Sequence, residues 1–445
     1  MHRTWRLQAA AILLGLTAAL APAAQVRPQS APAFPVERYQ LRNGLEVILA
    51  EDDSLPLVSV VVAYRVGSIH DAPGKSGLAY LMGNLMFQGS ENISPMQHIH
   101  YIEKIGGEFN AMTAYDRTMF FQTAPSQHLA LLLWLESDRM LSLSLSPASV
   151  ERSREALIEE NRQRLGGDPH LSGAQVFDRM LYGDYARAHP LSGTNEDLNR
   201  ITYQDVTAFH RTFYVPNNAV ICISGDFRAA KARELVARYF ETIPRGLRGP
   251  TPPPPPYEAA AASQTLTETL ASTPGFHMGF RFSALQPGDI HTLGIIDYLL
   301  LQGRGSRLFR RLVRRDRLVL YLSGGLEERA GVHAYRIFAL VNNEVMAERS
   351  QKTITGEINR LKTSLVSETE LQRAKNMFRA DYLGRTSTSL DKAIYLVEHF
   401  LDGGTFSSPD DDLNQYMRVT PSMIISAANR HFLTEKTVLL NIRIR

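Results

Sequence analysis

The sequence predicts two similar α+β halves joined by a proline-rich linker, and three observations carry that prediction. A chain of 445 residues exceeds what one hydrophobic core usually serves and suits two domains of roughly 200 residues each. The stretch Gly249-Pro250-Thr251, followed by Pro252 to Pro256, supplies few backbone donors and favours extended polyproline geometry, so it reads as a stiff connector. The ends of the two halves also resemble each other at an offset of 218 residues: Thr202 answers Thr420, Phe213-Tyr214 answers His431-Phe432, and Val220-Ile221 answers Val438-Leu439. Each reads as a helix, a short turn and a strand. The expected layout is residues 33–245, a linker at 246–257 and residues 258–445.

Within the halves, strands and helices mix. Asn43-Gly44 is a hairpin signal before Leu45 to Leu49, and Val58, Val60, Val62, Tyr64 and Val66 alternate along a strand. Ser146 with Pro147 suits a helix start, and the charged, glycine-free run to Leu165 suits its body. A hydrophobic content of 44% with 21% charged residues excludes a disordered chain.

The first residues predict a compartment. Arg3 and Arg6 precede an apolar run from Ala9 to Leu20, and Ala21-Pro22-Ala23 offers a small-residue cleavage site, so residues 1–23 read as a signal peptide. No later stretch reaches the length of a membrane-spanning helix, and a secreted, periplasmic protein with no stable membrane span is expected. Removing Arg3 and Arg6 lowers the formal charge from +3 to +1, which gives no electrostatic case for nucleic acid. Cys222, alone in its type and set in the apolar run Ala219 to Ile223, is expected to be a buried, inert thiol.

Between Gly77 and Gly89, Leu78, Leu81, Met82, Leu85 and Met86 fall at helical spacing and define a buried face. Tyr80, Gly83 and Asn84 are then expected on the opposite face. Positions 80 and 84 stand one turn apart, the separation at which two side chains grip one ion. Gly67-Ser68, Pro73 to Ala79 and Leu85 to Ser90 around them resemble the segment that carries the inverted motif His-x-x-Glu-His in zinc peptidases of the pitrilysin/insulinase (inverzincin) type, relatives of the mitochondrial processing peptidase. The resemblance implies two antiparallel-sheet-plus-helices domains in a metallopeptidase-like duplication. It also implies two zinc-binding histidines and a glutamate base at the positions held here by Tyr80, Gly83 and Asn84. A third ligand is implied on a downstream helix, where Glu160 stands in Glu155 to Arg164. A structural zinc site is worth ~10–16 kcal/mol over four ligands, so losing two costs on the order of five powers of ten in affinity. Glycine cannot accept a proton. No metal is therefore expected in this chain, and hydrolysis by the chain alone is not expected. His98-x-His100, with Glu91 and Glu103 nearby, is read as scattered surface residues and not as a replacement site.

Gly106 to Thr118 resembles the family's edge strand beside the zinc, which pairs with the substrate backbone and makes Asn110, Ala111 and Thr113 substrate-strand candidates. Alternating Phe109, Ala111 and Thr113 also suit a plain scaffold strand. In the second half, Gly303 to Arg314 reads as a helix with Leu308, Phe309, Leu312 and Val313 buried, followed by a strand from Leu318 to Tyr321. The resemblance assigns to this corner an arginine and, seven residues on, a tyrosine that reach the substrate at the zinc, and Arg314 and Tyr321 match them in type and spacing. The family's glycine three residues before the tyrosine is Leu318 here. Arg307, Arg310, Arg311 and Arg314 share one face of this helix, a solvated basic strip or an anion site.

Some members of that family work as heterodimers in which one subunit bears the zinc and the other supplies the arginine and tyrosine. The leading expectation is therefore a non-catalytic subunit that helps enclose unfolded peptides for a zinc-bearing paralogue, with Arg314 and Tyr321 assisting the partner's site and zinc expected in that partner. The alternatives are a structural or peptide-binding module without a part in proteolysis, as in the core subunits of the respiratory bc1 complex, and an active zinc peptidase with unusual ligands.

Overall fold

Asn43-Gly44 turns strand β1 (Val36–Gln40) back into β2 (Glu46–Glu51) as an antiparallel pair, with Gly44 at φ 91°, a backbone region open to glycine. The computed structural model describes residues 36–247, 249–250, 261–282, 285–403 and 409–445. The segment read as a signal peptide and most of the proline-rich linker lie outside the described residues. β3 (Leu57–Tyr64) is buried along Val58 to Tyr64 on both faces, the pattern of a central strand covered from two sides. Helices α1 (Leu78–Leu85) and α2 (Gln97–Lys104) lead to the hairpin of β4 (Glu108–Thr113) and β5 (Thr118–Pro125). Then come α3 (Leu129–Ser142), α4 (Pro147–Gly167), α5 (Leu171–Tyr182), the short α6 (Tyr185–Ala188) and α7 (Asn195–Arg200), α8 (Tyr203–Phe213), β6 (Ala219–Gly225) and α9 (Ala229–Phe240). The sheet runs β1-β2-β6-β3-β5-β4, with β2 and β6 parallel and the other neighbours antiparallel.

The second half repeats this plan. β7 (Ala262–Glu268), β8 (Gly275–Arg281), α10 (Asp289–Leu300), a π-helical segment Phe309–Arg315, β9 (Tyr321–Arg329) and β10 (Val332–Leu340) come first. They are followed by α11 (Glu344–Thr363), α12 (Glu368–Gly384), α13 (Ser389–Leu401), α14 (Pro409–Met417), α15 (Pro421–His431) and β11 (Val438–Ile444). Its sheet order, β7-β11-β8-β10-β9 with β7 and β11 parallel, is that of β2-β6-β3-β5-β4. Both sheets are thus mixed, each carrying one parallel pair in an otherwise antiparallel set. Equivalent caps recur too. Thr202 accepts from Asp205 N at the start of α8, and Thr420 accepts from Met423 N at the start of α15, each satisfying one orphan donor of a helix end.

One face of each sheet carries helices of its own half. Leu81, Met82 and Leu85 of α1 and Leu132, Leu133 and Leu135 of α3 pack with Val47, Leu49, Val58, Val60 and Val62. The opposite face is covered by the other half. Ala393, Leu396, Val397 and Phe400 of α13 bury Ile48, Val61, Ala63, Met119, Val220 and Cys222 of the first sheet. Reciprocally, Phe177, Leu181 and Tyr182 of α5 bury Ala334, Val438 and Leu440 of the second. The α5 and α13 starts lie 218 positions apart, as the repeat requires. Close approach depends on glycine here: a Cβ on Gly279 of β8 would stand 2.7 Å from the Phe177 ring, and one on Gly173 of α5 would stand 2.8 Å from Ile442.

Polar contacts lock the exchange. Arg329 and Arg336 of the second half meet Asp178 of α5 at 3.0 and 2.8 Å, and Tyr182 OH donates to Glu327. Lys392 of α13 pairs with Asp52, and Arg117 with Asp402 at 2.9 Å. Burying a charge is costly unless it is paired, and the buried Arg187 gives its guanidinium to Asp184 and to the Ala330 carbonyl. Leu396→Ala removes an apolar side chain from beneath a sheet that belongs to the other half. It should cost about 2–5 kcal/mol in urea denaturation, and a loss under about 1 kcal/mol would contradict the exchanged packing.

Candidate functional site

The three motif positions of α1 do not share one exposed face. Tyr80 is half-buried, Asn84 is exposed, and Gly83 is buried against the hairpin behind it. A Cβ at Gly83 would stand 2.9 Å from Thr113 Oγ1 on β4, so any side chain at the position of the general base would press on the edge strand. Across from α1, Glu160 of α4 accepts from Tyr80 OH at 3.4 Å and forms an ion pair with Arg164 one turn on. Arg164 also donates to Ser192 Oγ at 3.1 Å. The structure therefore brings Tyr80 and Glu160 together, and it adds a guanidinium that the sequence reading did not foresee.

β4 is the edge of the first sheet and places Asn110, Ala111 and Thr113 along it, with Phe109 against Phe87 at 5.4 Å between ring centroids. Of the close histidine pair, His100 is exposed but His98 is not a surface residue. It is buried, bonded through Nε2 to Gln122 Oε1 at 3.2 Å, and its pKa is lowered to about 3 by burial and the Arg139 cation. The reason is topological: α2 folds back onto β5, which a periodicity reading of eight residues does not reveal. Cys222 is buried, and burial pushes its thiol up.

In the second half, Phe309–Arg315 winds as a π-helix, with Asp316 N bonded to Arg311 O, a wider turn that is often found at functional sites. It buries Leu308 and Leu312 fully and Phe309 and Val313 in part. β9 begins at Tyr321, later than the Leu318 start expected, with Leu318 and Val319 buried before it. Tyr321 is 52% exposed and lines a cavity of about 950 Å³ between the halves. Arg314 is exposed, lies 5.7 Å above the Phe309 ring, and borders a different cavity of about 710 Å³.

The larger cavity has a floor that the sequence reading missed. Asp297 of α10 accepts from Tyr335 OH and Gln302 Nε2, both at 3.0 Å, and burial still pushes its pKa up to about 6. Beside it Tyr298 OH donates to Asp381 at 2.6 Å. The bend in β9 over this floor needs glycine: Gly325 has φ 143°, and a Cβ there would stand 3.0 Å from Asp297 Oδ2. His277, buried between Phe177 and Phe338 at 5.0 and 4.5 Å, has no hydrogen-bond partner at Nε2 among the described residues, and its pKa is lowered to about 3 by burial and Arg336. A signal for this site existed. Leu85-Met86-Phe87-Gln88-Gly89 is echoed by Leu299-Leu300-Leu301-Gln302-Gly303, which aligns Tyr80, Gly83 and Asn84 with Gly294, Asp297 and Tyr298. All three of those line the cavity.

Two family models match in succession: the one described as insulinase (peptidase family M16) over residues 46–194, and the one described as peptidase M16 inactive domain over residues 200–378. The chain belongs to the insulinase family, M16. This M16 chain is 27% identical over 412 residues to the zinc protease PqqE of Helicobacter pylori, covering 89% of this chain and 90% of that protein. Its fold matches the crystal structure of a protease from Helicobacter pylori with a TM-score of 0.86 at 24% identity, covering 92% and 100% of the two chains. It also matches a peptidase M16 inactive domain from Pseudomonas fluorescens with a TM-score of 0.83 at 18% identity, covering 92% and 98%.

A zinc ion does not suit the donors this M16 chain offers at the motif positions. Gly83 has no side chain, Asn84 offers only a neutral amide, and the single carboxylate, Glu160, already faces the Arg164 cation. Among the described residues no cluster of three or more histidine, cysteine or acidic side chains is placed to hold a metal ion, and no helix is long and apolar enough to cross a membrane.

Gly83→Ala tests the filled base position. Helix propensity alone would stabilise by about 1 kcal/mol, but the contact with Thr113 should reverse the sign to a loss of about 1–3 kcal/mol in urea denaturation. Adding Thr113→Ala should restore the gain; a stabilising Gly83→Ala would show that the space is open. Acid should also weaken the fold through His277. The unfolded imidazole protonates near pH 6.5 and the folded one only near pH 3. Its contribution is therefore full above pH 6.5 and declines as the pH falls through that window. His277→Phe should flatten the fall in the urea midpoint between pH 6.5 and 4, and an unchanged slope would exclude His277 as its source.

Proposed function

We propose that this chain is the non-catalytic subunit of a secreted heterodimeric zinc peptidase, enclosing unfolded peptides and supplying Arg314 and Tyr321 to the site of a zinc-bearing paralogous partner. The observation that carries this reading is the state of the motif positions. Thr113 closes the place of the base at Gly83, and Arg164 occupies the charge of Glu160. An active peptidase with unusual ligands would have no side chain at Gly83, the position of the base, to take the proton of an attacking water. Tyr321 supports an assisting role because it stands half in solvent at a cavity large enough for a peptide segment, where a phenol can donate to a carbonyl that is gaining charge. β4 and β9 end their sheets and leave backbone groups for an extended chain to pair with. The leader with Arg3 and Arg6 supports export to the periplasm.

One observation favours a second reading, a peptide-binding module without a part in proteolysis: Arg314 and Tyr321 border different cavities. Reconstitution separates the two. The purified chain should hold no stoichiometric zinc by metal analysis and cleave no peptide. Co-expressed with a zinc-bearing paralogue, it should form a complex more active than either chain. Tyr321→Phe should then lower turnover about 100- to 1,000-fold with assembly unchanged in gel filtration. Undiminished turnover in an intact complex would leave the module reading standing.

A further inference from the structure

The arginines between Gly303 and Arg315 are partly in solvent and partly paired. With Arg360 of α11 they surround the cavity of about 710 Å³. Four of its seven arginines are already matched with acids. Arg307 holds Glu370 through two bonds of 2.8 Å, Arg360 donates to Glu357 at 3.0 Å, and Arg311 and Arg315 reach Asp316 at 3.2 and 3.6 Å. The other three, Arg304, Arg310 and Arg314, are exposed and have no ion pair among the described residues. The π-helical winding of Phe309–Arg315 turns Arg310 and Arg314 to the same opening. Such an excess of guanidinium around a concave surface attracts anions, and its planar fork suits carboxylate oxygens. The cavity's own Glu370 displays that two-pronged geometry.

We infer that this cavity is a subsite for acidic side chains of the peptide the molecule handles, with Arg304 and Arg310 as the specificity-determining pair beside Arg314. The inference rests on the peptide-handling reading above and narrows its substrates to segments bearing neighbouring aspartates or glutamates. Arg304 and Arg310 add affinity and selectivity, while Tyr321 stands at the other cavity, so acidic preference and assistance to turnover are separable properties.

Fluorescence anisotropy on the full chain tests this with two labelled dodecapeptides that differ only in a Glu-Glu pair replaced by Gln-Gln. The acidic peptide should bind roughly tenfold to a hundredfold more tightly at low salt, and raising the salt to about 300 mM should shrink the preference. The double variant Arg304→Gln/Arg310→Gln, altered only at exposed positions, should keep the thermal midpoint and lose most of the preference, while its affinity for the Gln-Gln peptide stays as it was. Equal binding of the two peptides, or a preference indifferent to the double variant, overturns the subsite and leaves peptide handling intact. If neither peptide binds, peptide handling falls and the subsite with it. Arginine-dependent sedimentation with phosphatidylglycerol vesicles, without any acidic-peptide preference, would assign the cavity to lipid headgroups and also overturn the proposal.

Discussion

Each sheet in this molecule is buried on one face by a helix that belongs to the other half, and the rest of the structure depends on that exchange. A half folded alone would expose Ile48, Val61, Ala63, Val220 and Cys222 in the first sheet, or Ala334, Val438 and Leu440 in the second. An apolar sheet face of that kind is unstable in water. With α5 and α13 crossing over, the described residues of both halves form one compact unit, and the cavity is bordered by Asp168 and His170 on one side and Tyr321 on the other. Glycines at 173 and 279 set how closely the exchanged surfaces meet.

Duplication explains why two comparable sites exist and why they differ. In the first half, the helix between the third strand and the edge hairpin carries Tyr80, Gly83 and Asn84, and its site is closed by Thr113 and by the pair Glu160 and Arg164. In the second half, the equivalent helix carries Gly294, Asp297 and Tyr298 and opens onto the larger cavity. There a small residue at 294 makes room for the Tyr416 ring, which a Cβ would approach to 2.8 Å. Burial raises the Asp297 pKa to about 6 and outweighs its two side-chain donors.

The cationic cavity beside Arg314 is built at the π-helical segment. Arg310, Arg311 and Arg314 lie on that segment and Arg307 just before it, and all four border an opening that α11 and α12 complete with Arg360 and Glu370. Glu370 and Glu357 hold the paired arginines in place, which leaves the unpaired ones as the surplus charge that gives the cavity its sign.

Sequence alone determined the features that depend on near neighbours along the chain. The Asn43-Gly44 hairpin, the helix start at Ser146 and the buried stripe of α1 follow from side chains within a few positions of one another, and the repeat at 218 residues is a second occurrence of such a local pattern. That Gly83 cannot serve as a base is likewise a fact of composition. Only the tertiary structure decided what those elements pack against. That α5 and α13 each cover the sheet of the other half came from the structure, the His98 pattern is silent about its bond to Gln122 of β5, and a spacing of seven residues does not tell that Arg314 and Tyr321 open onto separate cavities. The physical reason is the same in each case: periodicity records which side of a segment avoids water, whereas the choice of partner is made by shape and close approach between residues hundreds of positions apart.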